Sequence, residues 1–95
     1  MLNNEQRTAW KGFLESVEAD DLLDPRDRLL VCFAAALALD CGDCLYALID
    51  QSPRVGVSRE ALDAVATQVM RMAALHKQSG AERAFREYDA RRDPY

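Results

Sequence analysis

Residues 24–44 read DPRDRLLVCFAAALALDCGDC, and this stretch carries the strongest structural signals in the chain. Asp24 fits a helix N-cap and Pro25 fits the first helical position, so a helix is predicted to begin here. The apolar run from Leu29 to Leu39 continues that helix. Because the run is apolar nearly all round, the helix is predicted to be buried on most of its sides.

Cys41-Gly42-Asp43-Cys44 follows directly, where the first helix is predicted to end and a second to begin. Two thiols three residues apart at a helix start can close a disulfide with little backbone movement, and the free N–H groups there favour a thiolate. The pair is therefore a candidate reversible dithiol, and its place at the helix start favours Cys41 as the more acidic thiol. The alternative is that both cysteines pack as small apolar side chains.

Metal binding is a weaker interpretation of the same two cysteines. A structural zinc site uses four ligands at recognisable spacing, and the sequence contains neither a second C-x-x-C nor a pair of histidines. His76 or an aspartate would have to complete the site. His76 lies near a predicted helix C-terminus, where the helix dipole favours a cation and a surface or capping role. No metal and no cofactor are therefore expected.

Helix signals also lie on both sides of this central stretch. An amphipathic pattern predicts a first helix over about residues 4–19, and the helix that carries the second cysteine is predicted to end at Pro53. Gly56 fits a left-handed position, and Ser58 fits the N-cap of the next helix. Gly80 is predicted to separate a last, charged helix from the one before it.

Apolar side chains at helical spacing are predicted to face the core or a subunit interface rather than a ligand. In the first and third helices these are Trp10, Phe13, Leu14, Val17 and Tyr46. In the helix after Ser58 the predicted inner stripe is Leu62, Val65, Ala66, Val69, Met70 and Ala73, and Met72 is expected to lie toward a neighbouring subunit. Cys32 is predicted to be an inert core residue, because cysteines inside apolar helices are usually buried and unreactive.

No stretch alternates between apolar and polar residues for long enough to predict a strand, and no repeat or linker interrupts the chain. The predicted fold is all-α, with about five helices in a single domain over residues 1–95. A chain of 95 residues buries a limited share of its surface on folding, so the folded monomer is expected to have little margin of stability. A helix that is apolar nearly all round also needs covering on several sides, so a homo-oligomer is expected.

Charge and targeting signals exclude several classes of partner. The net charge of −4 opposes sequence-independent binding to nucleic acid, which requires a basic stripe. Arginines in residues 83–92 alternate with acidic residues, as on a solvated helix face. Residues 1–5 lack the basic start and apolar run of a signal peptide, and Leu29 to Leu39 is too short for a bilayer span of roughly 20 residues. A soluble, cytoplasmic protein is expected.

The order of these signals resembles the carboxymuconolactone decarboxylase and alkylhydroperoxidase D-like family, from about residue 10 to residue 88. The resemblance rests on Leu23-Asp24-Pro25, the basic Arg28, the apolar helix, Cys41-x-x-Cys44, Gly56-Val57-Ser58 and Glu60-Ala61-Leu62. Gly56 lies twelve residues after Cys44, as the family's pattern requires.

The resemblance implies a helical bundle whose subunits join into trimers or hexamers, with no nucleic acid and no membrane as partner. In the redox branch of the family, the second cysteine attacks peroxide or the disulfide of a redox partner protein, and the first resolves the product. By position, Cys44 would attack and Cys41 would resolve. The family assignment of attack to Cys44 takes precedence here over the helix-start argument for Cys41.

Two positions depart from the proton relay of that branch. The relay histidine should lie four residues after Cys44, where this chain has Leu48, and the relay glutamate should lie twelve residues before Cys41, where it has Leu29. Apolar surroundings and the nearby carboxylate of Asp40 are expected to raise the thiol pKa. The decarboxylase branch is disfavoured because it needs a general acid or base and His76 lies far along a later helix.

Two functions therefore remain open. The first is a thiol-disulfide redox protein that uses Cys41 and Cys44, with weak peroxidase activity as its enzymatic form. The alternative is a non-catalytic member of the family, with a degenerate site, that serves assembly or partner binding.

Overall fold

The computed structural model describes residues 1–92, in which every regular element is helical and no strand is present. This confirms the all-α class. The elements in chain order are α1 (Asn4–Ala19), α2 (Pro25–Ala38), α3 (Gly42–Gln51), a 3-10 turn (Ser52–Val55) and α4 (Arg59–Arg92).

The helices begin at side chains that satisfy their first free N–H groups. The Asp24 carboxylate accepts a hydrogen bond from the backbone N–H of Asp27 at 2.8 Å, and Pro25 is the first helical residue of α2. The Ser58 hydroxyl accepts one from the N–H of Ala61 at 3.1 Å at the start of α4. Both predicted helix starts are confirmed.

The core lies where α2 packs against α3 and the first turns of α4. Its fully buried apolar side chains are Leu29, Phe33, Val57 and Leu62. Partly buried side chains surround them, namely Leu30, Leu37, Leu45, Leu48, Val55, Ala61, Val65 and Ala66. This core is small for a chain of 95 residues, and it fixes α2, α3 and the start of α4 relative to one another.

Helix α2 is buried on one side only, which corrects the prediction that it is covered on most sides. Leu29, Phe33 and Ala36 are buried at spacings of four and three residues, as one helix face requires. Leu39 is 78% exposed. The reason is that α3 and α4 contribute the side chains that cover the face of Leu29 and Phe33. Beside Val31 and Cys32, the end of α1 and the loop after it border an open groove instead of a packed core.

A left-handed turn at Asp40 joins α2 to α3. Asp40 has a φ of 55°, and its N–H donates to the carbonyl of Leu37 at 3.2 Å. The N–H of Cys41 donates to the carbonyl of Ala36 at 2.9 Å. This pair of bonds is the Schellman arrangement, in which the left-handed residue is usually glycine. An aspartate tolerates this conformation better than most residues, but it remains strained relative to glycine.

Gly56 confirms the second predicted turn. Its φ of 75° is the left-handed conformation that favours glycine. The turn is closed by the N–H of Val57, which donates to the carbonyl of Ser52 at 2.9 Å. Ser52 is buried, and its hydroxyl donates to the carbonyl of Ile49 at 2.7 Å, so this buried polar group is satisfied.

Helix α4 runs without a break through Gly80, so the predicted division into two helices is wrong. A glycine inside a helix costs only about 1 kcal/mol relative to alanine, and strong helix formers follow it here. Although α4 has 34 residues, neither it nor any other helix within residues 1–92 is apolar enough over a sufficient length to cross a membrane. From residue 71 to residue 92 every side chain is exposed.

Part of the predicted inner stripe of α4 is also corrected. Leu62 is buried, and Val65, Ala66 and Val69 are partly buried, as predicted. Met70 is 70% exposed because it lies on a different face of the helix, and Ala73 is exposed because α2 does not extend that far along α4.

Helix α1 has the predicted bounds, but it packs against no other helix of the described chain. Trp10 and Phe13 stack on each other with ring centroids 5.7 Å apart, and they remain 53% and 56% exposed. With both α1 and the end of α4 extended, the radius of gyration is 19.7 Å. A compact chain of this length has about 12 Å. Within one chain, the α1 stripe is therefore not part of a core.

We predict that Asp40→Gly stabilises the protein by about 1 kcal/mol, because glycine adopts the left-handed conformation without strain. Asp40→Ala should instead destabilise it by a similar amount, since alanine lacks the tolerance of aspartate for this conformation. Urea denaturation followed by circular dichroism, at one fixed protein concentration, measures both. If the alanine variant were as stable as the glycine variant, residue 40 would not have the left-handed conformation.

Candidate functional site at the Cys41–Cys44 disulfide

Cys41 and Cys44 form a disulfide at the start of α3, with their α-carbons 5.2 Å apart. This is within the range that a disulfide requires without backbone movement. The spacing prediction that these two thiols can close on each other is confirmed. The pair lies directly after the Asp40 turn, so the end of α2 and the start of α3 together set its position.

The two sulfurs differ in their surroundings. Cys41 is half-buried and is the N-cap of α3, with its Sγ accepting a hydrogen bond from the N–H of Cys44 at 3.3 Å. Its carbonyl accepts the N–H of Leu45 at 2.9 Å. Cys44 is exposed in the first turn of the helix. Cys44 is therefore the more exposed residue of the pair, whereas Cys41 is held at the helix start.

The disulfide lies on a groove of about 400 Å³ between α2 and α3, which we call the cysteine groove. Its lining consists of Cys32, Ala35, Ala36, Leu39, Cys41, Cys44, Ala47 and Leu48. All of these side chains are apolar or sulfur-containing. Asp40 and Asp43, which flank the cysteines in sequence, lie outside this lining. The groove can therefore accept the apolar part of a small molecule or of a partner's side chain beside the sulfurs.

The two relay positions lie together, as the resemblance implies. Leu29 and Leu48 both line a smaller groove of about 210 Å³, and Leu48 also lines the cysteine groove. A histidine at 48 would thus line the same groove as the dithiol, and a glutamate at 29 would line the smaller groove that residue 48 also lines. Both positions are occupied by leucine, so they provide packing and no proton acceptor.

Cys32 is exposed, which corrects its prediction as a core residue. It lines the cysteine groove between α2 and α3 together with Cys41 and Cys44. The signal that could have revealed this is its spacing. Cys32, Ala35 and Leu39 recur three and four residues apart on one face of α2, away from Leu29 and Phe33.

Other residues considered from the sequence lie away from this site. His76 is exposed, as its predicted surface role requires, but it lies in the middle of α4, so its predicted position near a helix C-terminus is wrong. Tyr46 is exposed and does not line the cysteine groove. Among residues 1–92, no cluster of three or more histidine, cysteine or acidic side chains has the geometry to hold a metal ion.

Sequence comparison assigns the chain to a family. The model of the carboxymuconolactone decarboxylase family matches residues 5–87, and the chain belongs to that family. No curated protein and no solved structure matches the chain significantly. Family membership and the Cys41–Cys44 disulfide together fit a redox-type member.

We predict that Leu48→His lowers the pKa of the Cys44 thiol in the reduced protein, because an imidazolium on the cysteine groove stabilises the thiolate. The rate of alkylation near neutral pH should rise, by at most about 100-fold, the gain that a well-positioned base supplies. Placing a polar ring in an apolar groove should lower the stability. The pH dependence of iodoacetamide alkylation of Cys44 measures the pKa.

Tyr46→His is the matched control, since residue 46 is on the same helix but faces away from the groove. It should leave the pKa of Cys44 unchanged. If Leu48→His folds normally and gives the same Cys44 pKa as the parent, residue 48 is not beside the reactive sulfur, and the assignment of relay positions is wrong.

Proposed function

We propose that this protein is a thiol-disulfide redox protein in which Cys41 and Cys44 alternate between dithiol and disulfide. The observation that carries the proposal is the Cys41–Cys44 disulfide on an open apolar groove. Family membership supports it, and the resemblance implies that the redox branch of the family has its reactive pair at this C-x-x-C. Cys44 is the attacking residue and Cys41 the resolving one.

The difference in exposure supports this division of roles. Attack on peroxide or on a partner's disulfide needs a sulfur that the substrate can reach, and Cys44 is the exposed member. Resolution needs a second thiol held close to the first. Cys41 meets that requirement because its backbone N–H is hydrogen-bonded to the end of α2 and its carbonyl to the start of α3. These bonds keep its sulfur within bonding distance of the Cys44 sulfur.

The proposed reaction with a hydroperoxide proceeds in two balanced steps. The Cys44 thiolate attacks the terminal peroxide oxygen, which gives a Cys44 sulfenic acid and releases an alcohol or water. The Cys41 thiol then displaces hydroxide from that sulfur, and the Cys41–Cys44 disulfide and water are formed. A dithiol donor reduces the disulfide through a mixed disulfide and is itself oxidised.

The rate of this reaction is expected to be low. Only the thiolate attacks, and an unassisted thiol with a pKa of about 8.5 is only a few per cent ionised at neutral pH. The leucines at positions 29 and 48 supply no base. We therefore propose thiol-disulfide exchange as the main activity and peroxide reduction as a weak one.

The second candidate is a non-catalytic member of the family that serves assembly or partner binding. Two observations favour it, namely the leucines at both relay positions and the exposed apolar side chains of α1 and α4. The two candidates differ in one measurable property, the rate at which the folded dithiol is oxidised.

We predict that one equivalent of peroxide removes two thiols from the reduced protein and joins Cys41 to Cys44. Cys44→Ser should abolish this disulfide, whereas Cys41→Ser should leave a sulfenic acid at Cys44 that dimedone traps. Cys32→Ser is the matched control and should react like the parent. Thiol titration of samples quenched at successive times measures the rates, and mass spectrometry identifies the products.

Oxidation of the reduced protein by an oxidised dithiol, in place of peroxide, tests the thiol-disulfide exchange activity. If the folded protein exchanges with the oxidised dithiol no faster than a peptide of residues 38–48 does, the fold contributes nothing to the exchange reaction. The redox function would then be rejected in favour of the assembly role.

A further inference from the structure

We infer that the electron donor for the Cys41–Cys44 disulfide is a small thiol that carries a carboxylate, and that Arg28 and Gln51 bind this carboxylate. The donor belongs to the proposed redox function, on which its assignment therefore rests. In the oxidised pair the sulfurs are bonded to each other, so the next reactant is a thiol. The rest of that thiol lies in a second groove beside the sulfurs.

The two grooves between α2 and α3 form one path. The cysteine groove and the smaller groove of about 210 Å³ share Cys32 from α2 and Leu48 from α3. Helix α2 ends and α3 begins at the Asp40 turn, and the two helices pack against each other. A ligand that extends away from this turn therefore passes from the disulfide across Cys32 and Leu48 into the smaller groove.

The smaller groove supplies the polar groups that the cysteine groove lacks. Arg28 and Gln51 line it, and its other lining side chains are apolar or carry sulfur. No acidic side chain lines either groove. One positive charge matches a singly charged anion, and the planar guanidinium matches the planar carboxylate. The amide of Gln51 supplies a further N–H donor.

The charge of Arg28 is open to such a ligand. Its guanidinium donates hydrogen bonds to the carbonyls of Glu18 and Asp20, which are neutral groups. A guanidinium has five N–H donors, so others remain for a ligand. Within residues 1–92 the arginines that form ion pairs are Arg26 and Arg54, and Arg28 forms none. Because Arg28 is half-buried, a carboxylate is attracted to it more strongly than to a fully exposed cation.

The dimensions of the path favour a small molecule. Residues 44 and 51 are about 10 Å apart along α3, at 1.5 Å per residue. The grooves of about 400 Å³ and about 210 Å³ have the size of small-molecule sites, which is roughly 300–1,000 Å³. A thiol and a carboxylate at opposite ends of an unbranched apolar chain match this path, and 6-mercaptohexanoate has that form.

The reduction proceeds in two balanced steps. The donor thiolate attacks the sulfur of Cys44, the exposed member of the pair. A bond forms between the donor and Cys44, the Cys41–Cys44 bond breaks, and Cys41 leaves as a thiolate that takes up a proton. A second donor thiolate then attacks the donor sulfur of this mixed disulfide, which releases the symmetrical donor disulfide and the Cys44 thiolate. A carboxylate held by Arg28 keeps the donor sulfur near Cys44 during the first step.

Two thiols that differ only in their far end test the inference. The oxidised full-length protein is mixed with 6-mercaptohexanoate or with the neutral 6-mercaptohexan-1-ol. The thiols of Cys41 and Cys44 are trapped by alkylation at successive times and counted by mass spectrometry. An oxidised peptide of residues 38–48 is the reference, because it contains the pair and lacks both Arg28 and Gln51. The carboxylate thiol should react about tenfold faster than the neutral one with the protein, and equally fast with the peptide.

A charge change at position 51 tests the place of binding. Gln51 is exposed, so Gln51→Glu adds a negative charge beside Arg28 without removing the hydrogen bonds that Arg28 makes to α1. It should abolish the preference for 6-mercaptohexanoate and leave the rate with 6-mercaptohexan-1-ol unchanged. Gln68→Glu is the matched control, with the same change in net charge at an exposed position of α4 outside both grooves. It should keep the preference.

The outcomes separate this inference from the proposed function. If the protein reacts faster than the peptide with both thiols but prefers neither, the redox function stands and the carboxylate site is rejected. The site is also rejected if Gln51→Glu keeps the preference or Gln68→Glu loses it. If the protein reacts with both thiols no faster than the peptide does, the redox function is rejected and the donor assignment falls with it.

Discussion

Cys41 ends one helix and begins the next, and the position of the redox pair depends on this double role. Its N–H donates to the carbonyl of Ala36 and so closes the end of α2. Its sulfur and its carbonyl accept the first N–H groups of α3. The residue thus has little freedom to move, and the exposed Cys44 is brought to it by one turn of helix. The left-handed Asp40 makes the turn tight enough for both roles.

The local structure of this chain could be predicted from the sequence because it depends on side chains that act close to their own positions. Asp24, Ser58 and Gly56 each satisfy a cap or a turn through neighbours three to five residues away. Gly80 was the exception, because a single glycine is weaker than the helix formers around it. Burial could not be predicted in the same way, because it depends on which faces of a helix its neighbours cover.

At the site, too, the local geometry could be predicted from the sequence and the burial could not. The closure of Cys41 on Cys44 follows from their spacing, and the family pattern placed positions 29 and 48 side by side. Cys32 was predicted wrongly because an apolar run does not reveal which face of α2 is open. Cys32 is exposed because it lies at the open groove between α2 and α3 and not in their packed contact, which is a property of the tertiary structure.

The account requires that the Cys41–Cys44 bond opens and closes in the folded protein. A redox titration tests this most directly, with the protein equilibrated at graded ratios of reduced and oxidised dithiothreitol and its thiols trapped by alkylation. Digestion before Asp40 and Asp43 separates the three cysteines for mass spectrometry. We predict that Cys41 and Cys44 become alkylated together in one two-electron transition, while Cys32 is alkylated throughout and the helical circular dichroism is unchanged. Loss of helical signal together with reduction, or reduction only in denaturant, would contradict the account.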